Sequence, residues 1–249
     1  RYISVTGVQT CALPICLTEL KVPLLMIFGR EDRAHTGERA DLLKTMEPQL
    51  NIHIVNGSFG FASFGYTINS ALFDQWTRDS DPARTNDQPM TFVVAVGNRG
   101  GANSGGTGGR ADSITSPGNM KNGISVGALE QLRLVDNSTN STATATNDPI
   151  AVAHTDSDTQ VADYSGRGNV GVGIEGFAGR LKPDVVAPGS YVLSLRASTF
   201  PGTNVSEADN TLTGGSATYW RYESGTSIAA SKVSGFLALD RKSTRLNSS

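Results

Sequence analysis

The sequence SGTSIAASKVSGFLALD, residues 224–240, predicts a polar turn followed by a buried helix. The turn ends at Thr226, and the residues after Ser227 are apolar on nearly every face of the helix they would form. N–H groups in the first turn of a helix lack helical acceptors and lie at the positive end of its dipole. A hydroxyl at Ser227 would therefore lie where an oxyanion can be stabilised, although an ordinary helix cap gives the same pattern.

The composition limits the classes of function. The 249 residues suffice for one or two domains with a sizeable core. The formal net charge of −2, from 21 basic and 23 acidic residues, argues against nucleic-acid binding. No apolar run approaches the roughly 20 residues of a membrane span, and no charged segment followed by an apolar one opens the chain. We therefore expect no nucleic acid and no membrane as partner, and no signal peptide in this chain.

The sequences at both ends of the chain are not typical of a natural protein. RYISVTGVQTCALPIC (1–16) and RKSTRLNSS (241–249) resemble translated adapter sequence, and we interpret both as non-native. Cys11 and Cys16 fall in the first of these segments. Their spacing would suit a disulfide or half of a metal site, but no nearby ligand completes a set, so they carry no functional prediction.

Residues 17–50 predict a strand (VPLLMIFG), a charged turn (GREDR) and a helix (GERADLLKTM), in that order. Two interpretations are equally open. One is a generic strand–turn–helix unit, and the other is a resemblance to the acid-bearing segment of α/β-hydrolases, in which Asp32 would match the acid. The nucleophile motif of that family, G-x-S-x-G, does not occur. The simplest interpretation is a join between unrelated sequences near residues 46–56.

From residue 51 onward, apolar strands alternate with helical stretches. NIHIV (51–55) and TFVVAV (91–96) are near-continuous apolar segments, with a helical pattern over 64–78 between them. Strands of this kind are typical of a parallel sheet covered by helices on both faces. The glycine-rich segment 99–113 lacks the ending of a phosphate loop, so we interpret it as a structural loop.

Six sequence blocks together resemble the subtilisin-like serine peptidases, the subtilases. In family order they are VNGSFG (55–60), TFVVAVGNRG (91–100), SPGNMKNGISVGA (116–128), VADYSGRG (161–168), GRLKPDVVAPGSYVLS (179–194) and SGTSIAAS (224–231). The resemblance implies a partial catalytic domain over residues 51–240. Its fold would be an α/β three-layer sandwich with a parallel sheet, incomplete at its N-terminal side.

The resemblance also implies a role for individual residues. Ser227 would be the nucleophile, and Asn98 would donate its side-chain amide to the oxyanion together with the Ser227 N–H. The substrate-binding positions would be Ser58, Phe59 and Gly60 at the strand edge that pairs with an extended peptide, and Ala95, Val96 and Gly97 in the wall of the primary specificity pocket. Val96 stands where a smaller residue is common, so it is expected to narrow that pocket.

The base and its orienting acid are not found in the sequence. The family carries them in D-T/S-G and H-G-T-H-V motifs, and neither motif occurs here. The three histidines, His35, His53 and His154, are interpreted as surface or loop residues. Ser231 stands where the family has a proline after the nucleophile, which leaves the geometry of the first helical turn open.

The sequence therefore predicts a serine endopeptidase that cleaves peptide bonds through an acyl-enzyme at Ser227, in a chain that is not competent alone. The alternative is a non-catalytic module of the same fold that binds peptides along its strand edge. The expected partner is a polypeptide. No cofactor is predicted, although the family often binds calcium. An extracellular or periplasmic location is implied by the family alone.

Overall fold

A computed structural model describes residues 26–28, 54–83, 85–134, 152–195 and 220–247. Along the chain its elements are β1 (Met26–Phe28), β2 (Ile54–Gly57), α1 (Ile68–Arg78), β3 (Thr91–Ala95), β4 (Ile124–Leu129), a 3₁₀ turn (Val152–His154), β5 (Val185–Pro188), β6 (Val192–Leu195), β7 (Trp220–Glu223) and α2 (Thr226–Asn247). The predictions on residues 1–16, Asp32, His35 and His53 fall outside these residues.

The main sheet has five parallel strands in the order β1-β2-β3-β4-β5. Its central pairs are in register over several residues, for example Val55 with Phe92 in β2 and β3 and Gly127 with Val186 in β4 and β5. Because all five strands run the same way, their carboxyl ends lie at one edge of the sheet, where open α/β sheets place their sites.

The two helices cover opposite faces of the sheet. Side chains alternate along β3, so Val93 lies on one face and Phe92 on the other. Val93 shares a buried apolar cluster with Ala229 of α2, whereas the Phe92 ring lies 5.1 Å from the ring of Phe73 on α1. The predicted α/β sandwich with a parallel sheet is confirmed.

Only one face of α2 is buried, which corrects the sequence prediction for this helix. Ala229 and Ala230 are fully buried against the sheet, and their small side chains let the helix backbone approach the strands closely. Phe236 was expected to be buried, but 69% of it is exposed, and Leu239 is 58% exposed. A sheet covers only one side of a helix, and successive residues turn by about 100° around its axis, so apolar residues beyond that side stay in solvent.

Both termini of the predicted catalytic segment continue into regular structure. β1, from the segment 17–50, pairs in parallel with β2 through Met26 with Val55 and Phe28 with Gly57. α2 continues through residue 240 to Asn247. The division of the chain at residues 46–56 and 240–241 stays a prediction.

Candidate active site

Ser227 lies in the first turn of α2, at the carboxyl edge of the sheet. Its neighbours come from the ends of two adjacent strands: Ser58 follows β2, and Asn98 follows β3. The predicted residues Ser227, Asn98 and Ser58 therefore come together although they are far apart in the sequence. The turn before the helix is held to the end of β5, since the Gly225 N–H donates to the Gly189 carbonyl at 3.0 Å.

The side chain of Asn98 holds the start of α2. Its Oδ1 accepts hydrogen bonds from the Thr226 N–H at 3.0 Å and from the Thr226 hydroxyl at 2.8 Å. The Thr226 Oγ1 in turn accepts from the Gly97 N–H at 3.1 Å. With Oδ1 facing the helix, the Nδ2 amide is the remaining donor of the side chain, and it donates to no other described residue. It lies close to Gly225, where a Cβ would be only 3.3 Å from Nδ2, so the glycine leaves room for it.

Ser227 is hydrogen-bonded to Ser58 in both directions. The Ser227 hydroxyl donates to the Ser58 carbonyl at 3.2 Å, and the Ser58 hydroxyl donates to the Ser227 carbonyl at 3.0 Å. The same carbonyl also accepts from the Ser231 hydroxyl at 3.0 Å. Ser231, in the family's proline position, thus bonds back to the first turn of the helix.

A chain of hydrogen bonds between buried polar side chains connects Ser58 to the interior of the protein. Asn56 and Ser234 are both fully buried. The Asn56 Nδ2 donates to the Ser58 hydroxyl at 2.7 Å, and the Ser234 hydroxyl donates to the Asn56 Oδ1 at 3.0 Å. Sequence reasoning missed both residues. The signal in the sequence was Asn56 inside an otherwise apolar strand and Ser234 inside an apolar helix. Buried polar groups of this kind need hydrogen-bond partners.

No histidine of the described residues is hydrogen-bonded to Ser227. His154 ends the 3₁₀ turn beyond β4. Its Nδ1 lies 3.8 Å from the Asp163 carboxylate, and its ring stacks on Tyr191 with the centroids 6.4 Å apart. The only hydrogen bond that the described residues give the Ser227 hydroxyl is the one to the Ser58 carbonyl, an oxygen that does not take up a proton at neutral pH.

The predicted substrate-binding positions fall in two backbone segments on either side of this site. Gly60 is exposed at the end of β2, whereas Phe59 packs its ring edge-on against Phe61 and Phe73 at 5.9 Å. Ala95 and Gly97 lie at the end of β3 and just beyond it.

The side chain of Val96 lies in the core, and its effect on the width of the pocket stays a prediction. Val96 is fully buried and packs in the core with Ile114 and Val170. Its carbonyl, by contrast, accepts hydrogen bonds from Thr115. In an extended segment successive side chains point to opposite sides, so a residue next to a pocket can contribute its backbone while its side chain enters the core.

A second group of ionisable side chains lies at the carboxyl end of β4. Glu130 is 1% exposed, and its carboxyl group lies beside Asp156. Burial raises the pKa of Glu130 to about 7, and the neighbouring carboxylates of Asp156 and Asp163 act in the same direction. The carboxyl group of Glu130 therefore changes its protonation near neutral pH rather than near pH 4.5.

Among the described residues, no group of three or more His, Cys, Asp or Glu side chains could hold a metal ion. In the same part of the chain, no helix combines the length and apolar character that a membrane span requires.

The model of the subtilase family (Peptidase_S8) matches residues 24–244, and the chain therefore belongs to this family of serine proteases. A comparison with curated proteins gives no match.

Several solved structures are similar to the chain. The S41 psychrophilic protease is 21% identical, with 81% of this chain and 47% of that protein covered and a TM-score of 0.41. Sphericase is 24% identical, with coverage of 81% and 45% and a TM-score of 0.39. The self-cleaved protease domain of PatA is 22% identical, with coverage of 81% and 50% and a TM-score of 0.39. The chain thus spans about half the length of these proteins.

Proposed function

We propose that this chain carries the nucleophile and the oxyanion site of a subtilisin-type serine endopeptidase, and that it lacks the general base. The observation that carries the proposal is the contact between the loop after β3 and the first turn of α2. There the Asn98 side chain accepts two hydrogen bonds from Thr226, the residue before Ser227. The Asn98 amide and the Ser227 hydroxyl therefore belong to one small region of the surface.

In the reaction, the Ser227 Oγ would attack the carbonyl carbon of a peptide bond and form an acyl-enzyme, while the amine leaves. The carbonyl oxygen becomes an oxyanion during this step. Two donors are available to stabilise it, the Asn98 Nδ2 and the Ser227 N–H, which lies in the first turn of the helix and has no helical acceptor. These donors are held in place before substrate binds, so little reorganisation is needed as charge develops.

Among the described residues, the proton of Ser227 has no acceptor of suitable basicity. A serine hydroxyl is a weak nucleophile unless a base removes its proton during attack, and the same proton must later reach the leaving amine. Here the hydroxyl donates to the Ser58 carbonyl. We therefore expect the chain alone to hydrolyse peptides no faster than background.

The substrate would be a polypeptide bound in extended form along Ser58, Phe59 and Gly60. Backbone groups at such an edge recognise the main chain of any peptide, and adjoining pockets select side chains. The resemblance to secreted peptidases supports an extracellular or periplasmic location for the whole protein.

A non-catalytic peptide-binding module is the second candidate. It is favoured by the bond from the Ser227 hydroxyl to the Ser58 carbonyl, which leaves the hydroxyl without a base. The two candidates differ in what happens when a base is supplied from solution, because only a complete nucleophile and oxyanion site can use it.

The experiment is chemical rescue with imidazole. The purified chain and its Ser227→Ala variant are assayed on a chromogenic peptide with and without excess imidazole. Without imidazole we expect equal, background rates. With imidazole we expect a rate that depends on Ser227, whereas a peptide-binding module would give equal rates again. Turnover that depends on Ser227 in the absence of imidazole would show that His35, His53 or His154 serves as the base, and the proposed lack of a base would be wrong.

A further inference from the structure

Residues 152–161, which we call the docked segment, lie across the carboxyl end of β4. Val161 pairs with Leu129 of β4 in an antiparallel bridge, and the Glu130 N–H donates to the Gln160 carbonyl at 3.0 Å. These contacts are separate from the hydrogen bonds that pair the parallel strands. A segment held in this way can open while the strands stay paired, because only its own contacts have to break.

Glu130 lies beneath the docked segment. Only 1% of it is exposed, and its carboxyl group lies beside Asp156, an exposed residue of that segment. The carboxylate of Asp163, just beyond the segment, is a second negative charge close by. Among the described residues, no Lys or Arg forms an ion pair with Glu130. A buried carboxylate without a cation is costly, so the closed arrangement favours the neutral acid.

The cationic groups of this region lie against other partners. The His154 Nδ1 lies 3.8 Å from the Asp163 carboxylate. On α2, which packs against β4, burial and the neighbouring charge of Arg133 lower the pKa of Lys232. The charged groups that act most strongly on Glu130 are therefore the two carboxylates.

Opening of the docked segment would admit water to Glu130 and separate its carboxyl group from Asp156. In water this group ionises at its ordinary pKa of 4.5, whereas under the segment burial and the neighbouring carboxylates raise the pKa to about 7. The closed state therefore binds the proton more tightly than the open state does. As the pH rises from 4.5 to about 7, the equilibrium shifts toward the open state.

The docked segment also contacts a residue that supports the turn before Ser227. The ring of His154 stacks on the ring of Tyr191, with the centroids 6.4 Å apart. The Tyr191 N–H donates to the Ser224 hydroxyl oxygen at 2.9 Å, and Ser224 belongs to the turn that leads into α2. Opening of the segment would therefore remove a packing contact from the support of this turn.

We propose that the docked segment is a pH-sensitive latch, closed over Glu130 while this carboxyl group holds its proton and released when the group ionises. Release takes the His154 ring away from Tyr191 and so weakens the support of the turn before Ser227. The inference goes beyond the proposed function, because it concerns the folded chain itself and holds whether or not the chain binds peptides.

The test is hydrogen–deuterium exchange of the full chain, read by mass spectrometry at about pH 5 and about pH 8.5, on either side of the interval over which Glu130 ionises. Intrinsic exchange also depends on pH, so the wild type is compared at each pH with Glu130→Gln, whose amide stays neutral. Asp156→Asn removes the facing carboxylate at an exposed position. Asp158→Asn, at an exposed acidic residue of the same segment, is the matched control.

At about pH 5 we expect peptides from the docked segment to exchange at similar rates in the wild type and Glu130→Gln. At about pH 8.5 the wild type should exchange at least about tenfold faster there than Glu130→Gln, since ionisation favours the open state. Peptides from β3 and β4 should exchange at similar rates in both proteins. Asp156→Asn should show a smaller rise with pH than the wild type, and Asp158→Asn should follow the wild type.

Equal exchange of the docked segment in the wild type and Glu130→Gln at both pH values overturns the inference. An increase that spreads equally over β3 and β4 also overturns it, because ionisation of Glu130 would then loosen the whole fold rather than one segment. If Glu130→Gln does not fold, the comparison is made with Asp156→Asn, and equal exchange in that variant and the wild type at about pH 8.5 overturns the inference.

Discussion

Ser58 and Ser227 are joined by two hydrogen bonds, hydroxyl to carbonyl in each direction, at 3.0 and 3.2 Å. The residues are 169 positions apart, and the contact fixes the first turn of α2 against the end of β2. It holds the Ser227 hydroxyl beside the edge where we expect peptides to bind. It also directs the hydroxyl proton at the Ser58 carbonyl, which is not a base at neutral pH.

The first prediction concerns the hydrogen bonds that join the end of β2 to Ser227. Ser58→Ala removes the donor to the Ser227 carbonyl and leaves the buried Asn56 Nδ2 without its acceptor. An unsatisfied buried polar group costs about 1–3 kcal/mol. Urea denaturation should therefore show the free energy of unfolding lowered by about that amount. Ser104→Ala, at an exposed serine of the glycine-rich loop, is the control and should change the stability by less than about 0.5 kcal/mol. Equal stabilities for the two variants would show that the hydrogen bonds of the Ser58 hydroxyl to Asn56 and Ser227 do not stabilise the fold.

The second prediction separates two roles of Asn98. Asn98→Asp keeps an acceptor for the Thr226 N–H and hydroxyl, and a carboxylate at a helix N-terminus is favourable. Asn98→Ala removes the acceptor and leaves the fully buried Thr226 hydroxyl without it. We expect urea denaturation to give nearly wild-type stability for the Asp variant and a loss of about 1–3 kcal/mol for the Ala variant. Equal losses in both variants would show that the acceptor does not stabilise the start of α2.

The third prediction concerns Glu130. Its pKa is raised from 4.5 to about 7 in the folded protein, so the folded state holds the proton more tightly than the unfolded state does. The associated stability is fully present below pH 4.5 and is lost as the pH rises toward about 7. Glu130→Gln should remove this dependence, because the amide stays neutral at every pH. Its free energy of unfolding should fall less than that of the wild type between these two pH values.

The control for Glu130→Gln is Asp158→Asn, at an exposed acidic residue of the nearby turn. It should follow the pH dependence of the wild type. The same dependence in wild type and Glu130→Gln would show that Glu130 is not the group that holds the proton.

The sequence predicted the parallel sheet and the meeting of Ser227 with the loop that carries Asn98. Both follow from features that are local in the chain: apolar strands bounded by turns, and short blocks that end at the carboxyl edge. Since parallel strands bring their carboxyl ends to one edge, blocks that follow different strands must meet there. The roles of Ser227 and Asn98 in catalysis stay predictions.

The features that the sequence did not predict depend on which way a side chain faces. Phe236 lies in an apolar helix but outside the face that the sheet covers, and Val96 lies beside the site while its side chain enters the core. Asn56 and Ser234 find each other only when β2 and α2 pack together. The raised pKa of Glu130 likewise arises from burial near Asp156, which is 26 positions away in the chain. Such effects come from tertiary packing and have no local signal.

The most direct test of the account asks whether Ser227 and Asn98 form one oxyanion site. A peptidyl boronic acid adds to the oxygen of a serine hydroxyl, whose proton passes to a buffer base such as imidazole, and becomes tetrahedral and negatively charged. The adduct imitates the intermediate of acyl transfer without turnover. The measurement is the ¹¹B NMR signal of such a ligand mixed with the wild-type chain, Ser227→Ala, Asn98→Asp and Asn98→Ala. We predict a tetrahedral boron signal with the wild type, none with Ser227→Ala, and a greatly weakened one with both Asn98 variants. A tetrahedral signal that survives Ser227→Ala, or a wild type that leaves the boron trigonal, would contradict the account.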